Sequence, residues 1–508
     1  MAIDPNLQNA VQAAFDVQDY VRARDLIERA LCADATDKHL RACLATAHAH
    51  CSRFMTARGQ IAQLLSDLTE ERRLHWSGVF GFVWCEIGRY DLAEPLFHEA
   101  LRKLDPAAPV YEHLADALEH LRRLPAALAV TGTGLARFPM HPGITLVRAR
   151  VLRRMEDHEQ AESALREVIN SPVAPSATKT AVFYEMGHLR EGQGRYAEAF
   201  SAFTQAKAMQ KKEEIRYVDL WHARQAVVGN ADLWPTQEDF ARFAEAAQPL
   251  HDPSHRIAFL VGCPRSGTTL LERVLEAHPG LVSASETSTF GSEVWEPLLA
   301  SLHAGRKVEG LAVVLRHITS AQLKEARDKH WSLLPDTLEQ PVGGRLVLDK
   351  NPSAMAILPV IKCLRPEAPL LVARRDPRAL VWSCYTQHFK VNGESAAFFD
   401  LGTTSEHITT MLKNWTTLRE RIAQPWREVW YENVVKDLPG QARQTLEFLG
   451  LPWREEVLGY HERKELVRSP SYAQASKPIY DKSLEMWRNY EEFLTPFMQP
   501  LLPYLEEA

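Results

Sequence analysis

The residues with the clearest chemical character lie between 256 and 278. An apolar run, Arg256-Ile-Ala-Phe-Leu-Val-Gly262, meets Cys263-Pro264-Arg265-Ser266-Gly267-Thr268-Thr269, and an amphipathic stretch follows. A strand that turns tightly into a helix aims backbone N–H groups at an anion, because the first amides of a helix have no intrahelical partner. Gly262 and Gly267 keep the four-residue gap of the triphosphate loop GxxxxGK[ST]. Thr268 stands in the lysine position, and the nearest cation is Arg265, inside the loop. The loop therefore predicts a phosphate cradle without the group that grips a γ-phosphate, which argues against a nucleotide kinase or NTPase. Thr268 and Thr269 add hydroxyl donors, and Arg265 supplies a permanent charge.

A second cluster, Arg374-Arg375-Asp376-Pro377-Arg378, directly follows the apolar run Pro369–Ala373, with Ser383 eight residues after Arg375. A strand-end arginine and a serine one to two helical turns later can grip a second phosphate. The positioning elements read as strands at 256–262, 346–348, 369–373 and 428–431, with helices over 267–278 and from 377 into the early 390s. Strands separated by helices predict a mostly parallel α/β sheet. Ligands of such sheets bind beyond the carboxyl ends of the strands, at the switch point, where both clusters would fall.

The first half of the chain repeats. Ala23, Ala57, Ala93, Ala127, Ala161 and Ala199 recur at spacings of 34, 36, 34, 34 and 38. Gly88-Arg-Tyr-Asp-Leu-Ala93 matches Gly194-Arg-Tyr-Ala-Glu-Ala199, and Pro106, Pro142 and Pro172 read as helix ends. A 34-residue helix–turn–helix period is that of tetratricopeptide repeats, in which a small residue lets paired helices approach closely. About six repeats over 1–230, a linker at 231–255 and an α/β domain over 256–508 are expected. The repeat stack suits an extended peptide or partner; equally, it would brace the second half or dimerise the chain.

Composition narrows the class. The chain has 508 residues, 45% hydrophobic and 24% charged, with a net charge of -6, so a non-specific nucleic-acid binder is disfavoured. Seven cysteines without a CxxC pair point to buried, reduced thiols rather than zinc or disulfides. Neither a signal peptide nor a membrane span of ~18 apolar residues is read, so the expected location is cytoplasmic.

Pro264-Arg-Ser-Gly-Thr-Thr269 and Arg375-Asp-Pro-Arg-Ala-Leu-Val-Trp-Ser383 together resemble the 5′-phosphosulfate loop and 3′-phosphate motif of sulfotransferases. The resemblance is to the tyrosylprotein branch, and to bacterial proteins that join tetratricopeptide repeats to such a domain. It implies 3′-phosphoadenosine-5′-phosphosulfate (PAPS) as donor and no metal. Carried onto matching positions, it implies that the loop residue Pro264, Arg265 and the amides of Ser266, Gly267, Thr268 and Thr269 hold the phosphosulfate. Arg375 and Ser383 would hold the 3′-phosphate and Tyr431 would touch the donor. Glu286, in Ser283-Ala-Ser-Glu286-Thr, would be the catalytic base, and Lys350, in Asp-Lys350-Asn-Pro, would stand near the bridging oxygen. Ser471 would assist the phosphosulfate and Lys477 the 3′-phosphate. The acceptor implied is a hydroxyl, a peptide tyrosine first, with a glycan or small phenol as alternatives. Animal members have Asp-Pro after the lysine and a Cys-Gly pair before the glutamate, and this chain has neither. An inactive scaffold carrying the repeats is the competing reading, and a homodimer stays open.

Overall fold

The computed structural model describes residues 5–32, 34–228, 233–303, 310–423, 425–463 and 482–505. Its N-terminal part is six helix pairs: α1 Pro5–Asp16 with α2 Tyr20–Leu31, α3 Lys38–His50 with α4 Phe54–Ser66, α5 Glu70–Glu86 with α6 Tyr90–Ala100, α7 Ala108–His120 with α8 Leu124–Arg137, α9 Pro142–Arg154 with α10 His158–Asn170, and α11 Ser176–Gly192 with α12 Tyr196–Glu213. The six periodic alanines are each the fourth residue of the second helix of a pair, and all are 0% exposed. Any larger side chain there would push the two helices apart.

Each pair turns the same way. The residue before the cap of the second helix is left-handed, at Gln18, Ser52, Gly88, Arg122, Glu156 and Gly194, with φ of 59–74°. The next N–H reaches back five residues, from Asp19 to Ala14 O through Arg195 to Arg190 O, at 2.7–3.0 Å. This is the closure that ends a helix by satisfying a last-turn carbonyl. Pro142 differs from the sequence expectation: it opens α9 rather than ending a helix, as proline can where no N–H bond is needed.

The remaining elements are α13 Arg216–Val228, α14 Gln237–Ala247, β1 Ile257–Gly262, α15 Thr268–Glu276, β2 Leu281–Ser285, α16 Glu296–His303, α17 Leu311–Leu315, α18 Ser320–Leu338, β3 Leu346–Lys350, α19 Leu358–Leu364, β4 Leu370–Arg374, α20 Pro377–Tyr385, α21 Leu401–Arg421, β5 Trp426–Trp430, α22 Tyr431–Lys436 and α23 Leu438–Phe448. The five strands form one parallel sheet in the order β2-β3-β1-β4-β5. β1 is central, with β3 on one side and β4 on the other, so the loop leaving β1 sits at the switch point. Alternation along β1 feeds two cores. Ala258 and Leu260 pack with α15 and α23, and Ile257, Phe259 and Val261 with α18 to α21.

Four expectations shift. β2 is a fifth strand that two strong apolar residues did not announce. The last strand ends at Trp430, so Tyr431 begins α22. α20 stops at Tyr385, well short of the 390s. The stretch 231–255, expected as a linker, contains α14, closed by a Thr236–Asp239 capping box. Its Phe240 and Phe243 lie in the larger core of the α/β half.

That core does not stop at the repeats. Ala199, Phe203 and Ala206 of α12 and Tyr184 of α11 belong to the same buried cluster as β1 and α20. Phe203 is fully buried and meets Trp382 edge-on at 5.8 Å. Burial of such a ring contributes about 1.5–3 kcal/mol, here to the joint between the two halves. Of the seven cysteines, none is disulfide-bonded; Cys51, Cys263, Cys363 and Cys384 are buried, and Cys32 is exposed, contrary to the buried expectation.

Candidate active site at the carboxyl edge of the sheet

The loop after β1 is a cradle because two glycines allow it. A Cβ on Gly262 would stand 2.5 Å from Ser266 Oγ and 2.7 Å from Ala373 O. Gly267, at φ 94°, caps α15, and a Cβ there would meet Tyr431 at 2.6 Å. Ser266, Thr268 and Thr269 are buried, and Ser266 Oγ has no hydrogen-bond partner among the described residues. A hydroxyl left unsatisfied beside a helix N-terminus suits an oxyanion, which accepts hydrogen bonds and is favoured by the helix dipole. The donor set of the loop thus fits a phosphate or sulfate ester.

The second cluster separates into structural and site arginines. Arg374 pairs with Glu428 at 2.7 Å and covers the Trp430 ring, and Arg378 is held by Asp376 at 2.6 Å and lies over Trp487. Arg375 turns to the loop instead: its Nη1 donates to Arg265 O at 3.0 Å, and its guanidinium lies 4.7 Å from the Tyr431 ring centre. Arg265, left-handed at φ 70°, donates from Nε to Ser383 Oγ at 2.9 Å. The two sequence motifs, 118 residues apart, therefore touch.

Glu286 and Lys350 also meet, at the ends of β2 and β3. The backbone N–H of Glu286 donates to Lys350 O at 2.7 Å, and the Lys350 ammonium donates to the Glu286 carboxylate. Glu286 is left-handed, at φ 47°, and its side chain is 29% exposed, whereas Lys350 is fully buried. A second carboxylate, Glu272 of α15, lies 3.2 Å from Lys350 Nζ and accepts hydrogen bonds from Ser283 and Ser285. Burial alone would lower the Lys350 pKa; Glu272 and then Glu286 outweigh it and raise the ammonium above its ordinary value. Sequence reasoning missed Glu272. Its position nine residues before a small-residue strand, on a helix otherwise read as amphipathic, carried no separate signal.

The segment after Glu286 is gripped by the repeats. Ser288 N–H donates to Ser52 Oγ at 3.1 Å and Ser288 Oγ to His50 O at 3.2 Å. Residues Thr289–Trp295 form a short π-helix, and the buried Glu293 on it pairs with Arg24 and, at 3.2 Å, with Arg53. At the other side, Lys207 of α12 donates to Gln387 O and Gln210 to Phe389 O, while Tyr184 stacks on His388 at 4.5 Å. The loop leaving α20 thus lies on the sixth repeat. It also approaches the second, where burial and Lys390 push His50 down to about 4. Ser471 and Lys477 lie outside the described residues.

An anion-suited loop at the switch point, with a carboxylate and a buried lysine beside it, can serve group transfer. Residues 258–455 match the family model described as Sulfotransferase family. The chain therefore joins a tetratricopeptide-type array to a sulfotransferase-family domain. An uncharacterised protein of Aquifex aeolicus (strain VF5) is 26% identical over 422 residues, 80% of this chain and 52% of its own length. Protein-tyrosine sulfotransferase A of Caenorhabditis elegans is 26% identical over 247 residues, 45% of this chain and 60% of its own. The chain thus spans about half the length of the first of these relatives. The sulfotransferase domain of the Synechococcus PCC 7002 olefin synthase is 23% identical over 47% of this chain and 89% of that one, with a TM-score of 0.33. No described helix is long and apolar enough to cross a membrane.

Proposed function

We propose that this protein is a PAPS-dependent sulfotransferase acting on a hydroxyl acceptor, with a polypeptide tyrosine as the first candidate. The observation that carries the reading is the contact of the two motifs, Arg265 on Ser383 and Arg375 on the Arg265 carbonyl. In this reading the loop amides, Arg265 and Ser266 hold the phosphosulfate, and Arg375, Ser383 and Tyr431 hold the nucleotide end; Ser471 and Lys477 keep the donor-side roles that the resemblance implies. PAPS, when bound, supplies an activated sulfuryl group. The chain's own residues do the rest. Glu286 takes the acceptor proton, as a positioned carboxylate can. Lys350 offers a preorganised positive charge to the oxygen on which charge develops. Residues 1–230 orient the acceptor by holding the segment after Glu286, and 256–508 carry the transfer; a cytoplasmic location goes with this reading.

The test incubates purified protein with PAPS and a panel of tyrosine peptides, glycans and small phenols, read by mass spectrometry for a gained sulfuryl group. Thermal shifts with adenosine 3′,5′-bisphosphate, ATP and GTP accompany it. Stabilisation by the bisphosphate is expected. Stabilisation by ATP or GTP and not by the bisphosphate would overturn the donor assignment, and donor binding with no acceptor in any class would favour a scaffold.

A further inference from the structure

We propose that Glu272 is a positioning residue for catalysis, the permanent counter-ion that keeps Lys350 charged while Glu286 carries a proton. The inference rests on the reading of Glu286 as base and Lys350 as cation given above.

Among the described residues, two carboxylates meet the Lys350 ammonium, and they do different work. Lys350 Nζ is fully buried between two carboxylates. In the transfer step the acceptor O–H bond breaks, its proton goes to a Glu286 carboxylate oxygen, and its electron pair forms the new O–S bond, while the S–O bond to the donor's bridging oxygen breaks and its electron pair leaves with adenosine 3′,5′-bisphosphate. Glu286 is then neutral, and without Glu272 the buried Lys350 ammonium would keep no carboxylate among the described residues. Such a group sheds its proton rather than stay charged in a low-dielectric site. Glu272 is built to prevent that. It sits on α15, is buried, and has one carboxylate oxygen taken by Ser283 and the other by Ser285 at 3.2 Å.

Among the described residues, the neighbouring charged groups are engaged elsewhere. Asp349 points to the opposite face of β3 and pairs with His330 at 3.2 Å. Arg273, next to Glu272 on α15, turns to Glu276 and to the carbonyl oxygens of Tyr460 and Arg463. From β2 come only the two serine hydroxyls, and from the loop beyond it Glu286. The order of influence on Lys350 agrees, with Glu272 ahead of Glu286.

Glu286→Gln imitates the protonated base, so the test is a double-mutant cycle with Glu272→Gln. Adenosine 3′,5′-bisphosphate binding is measured by calorimetry from pH 6 to 9 in wild type, both single variants and the double, with melting temperatures for each. Wild type and Glu286→Gln should bind alike and without pH dependence over this range. The double variant should lose at least tenfold in affinity at pH 9 and recover toward pH 6, beyond the product of the single effects. If the double variant does not fold, adding Lys350→Met should restore its melting transition, which equally assigns Glu272 as counter-ion. A double variant that melts and binds as the singles predict, at every pH, overturns the proposal. Absence of bisphosphate binding by wild type instead overturns the donor reading beneath it.

Discussion

Arg265 and Glu286 both hold left-handed backbone, with φ of 70° and 47°, a conformation that costs a non-glycine residue on the order of 1–3 kcal/mol. Both are on the carboxyl edge of the sheet, and each is fixed by a partner: Arg265 by Ser383, and Glu286 by the Lys350 carbonyl and ammonium. Strain that persists under such restraint aims a side chain. Glu286→Gln should therefore lower turnover by about 10²–10⁴-fold while leaving bisphosphate affinity within about threefold of wild type. Turnover near the wild-type rate would remove Glu286 from the chemistry. Arg375→Ala should weaken bisphosphate binding by about 10–100-fold, the worth of a charge-assisted hydrogen bond, as read by calorimetry. Unchanged affinity would leave Arg375 a bracket for the loop and nothing more.

At the scale of elements, the repeat period was legible because six alanines keep one place in the helix pair and glycine stands in two of the six turns. The other four turns use Gln18, Ser52, Arg122 and Glu156 in the same left-handed role, and no composition rule flags them. β2 was illegible for a similar reason: Leu281-Val-Ser-Ala-Ser is too short and too polar to announce a strand, yet it carries Glu286 into place. The site motifs could be read because they are local; the Glu272–Lys350 contact could not, since it joins a helix to a strand across 78 residues. Two tests belong here. Ala127→Leu should destabilise by about 1–3 kcal/mol through overpacking, whereas Ala129→Leu, exposed on the same helix, should stay within about 0.5 kcal/mol, by denaturant unfolding. The second concerns Glu185 on α11, paired with Arg150 and Arg153 of α9 at 3.0 and 2.8 Å. Burial would raise its carboxyl pKa, but Arg153 and Arg150 prevail and lower it from 4.5 to about 2. A depressed carboxylate stabilises fully above its unfolded pKa and loses that contribution as pH falls through the folded one. On the order of 3 kcal/mol should fade between about pH 4.5 and 2. Glu185→Gln should be less stable at neutral pH, with the gap to wild type closing toward pH 2; a constant gap would refute the ion-pair account.

At the scale of the whole molecule, the joint between repeats and sheet contains a lysine that, among the described residues, meets aromatic rings and carbonyl oxygen rather than a carboxylate. Lys207 lies over the Tyr184 and Tyr385 rings, at 5.4 and 5.6 Å, and donates to Gln387 O. Burial lowers its pKa from 10.5 to about 7. Between those values the unfolded chain binds more protons than the folded one, so stability should rise with pH from about 7 toward 10.5. The slope is at most about 1.4 kcal/mol per unit. Urea unfolding at pH 7 and pH 9 measures it, and Lys207→Met should abolish the rise; the same rise in the variant would place its origin elsewhere.

The helical array is fastened at both ends. Its first two pairs hold Ser288 and Glu293, and its last pair holds Gln387 and Phe389. A free solenoid can gain or lose a unit, since each repeat touches only its neighbours. This one spans a fixed gap, like a calliper set on two faces of one object. Adding or deleting a single pair in its middle would shift one jaw by a repeat and break one set of contacts. The number six is thus a dimension of the site rather than an accident of duplication, and drift in repeat count is closed to any sequence that keeps both grips.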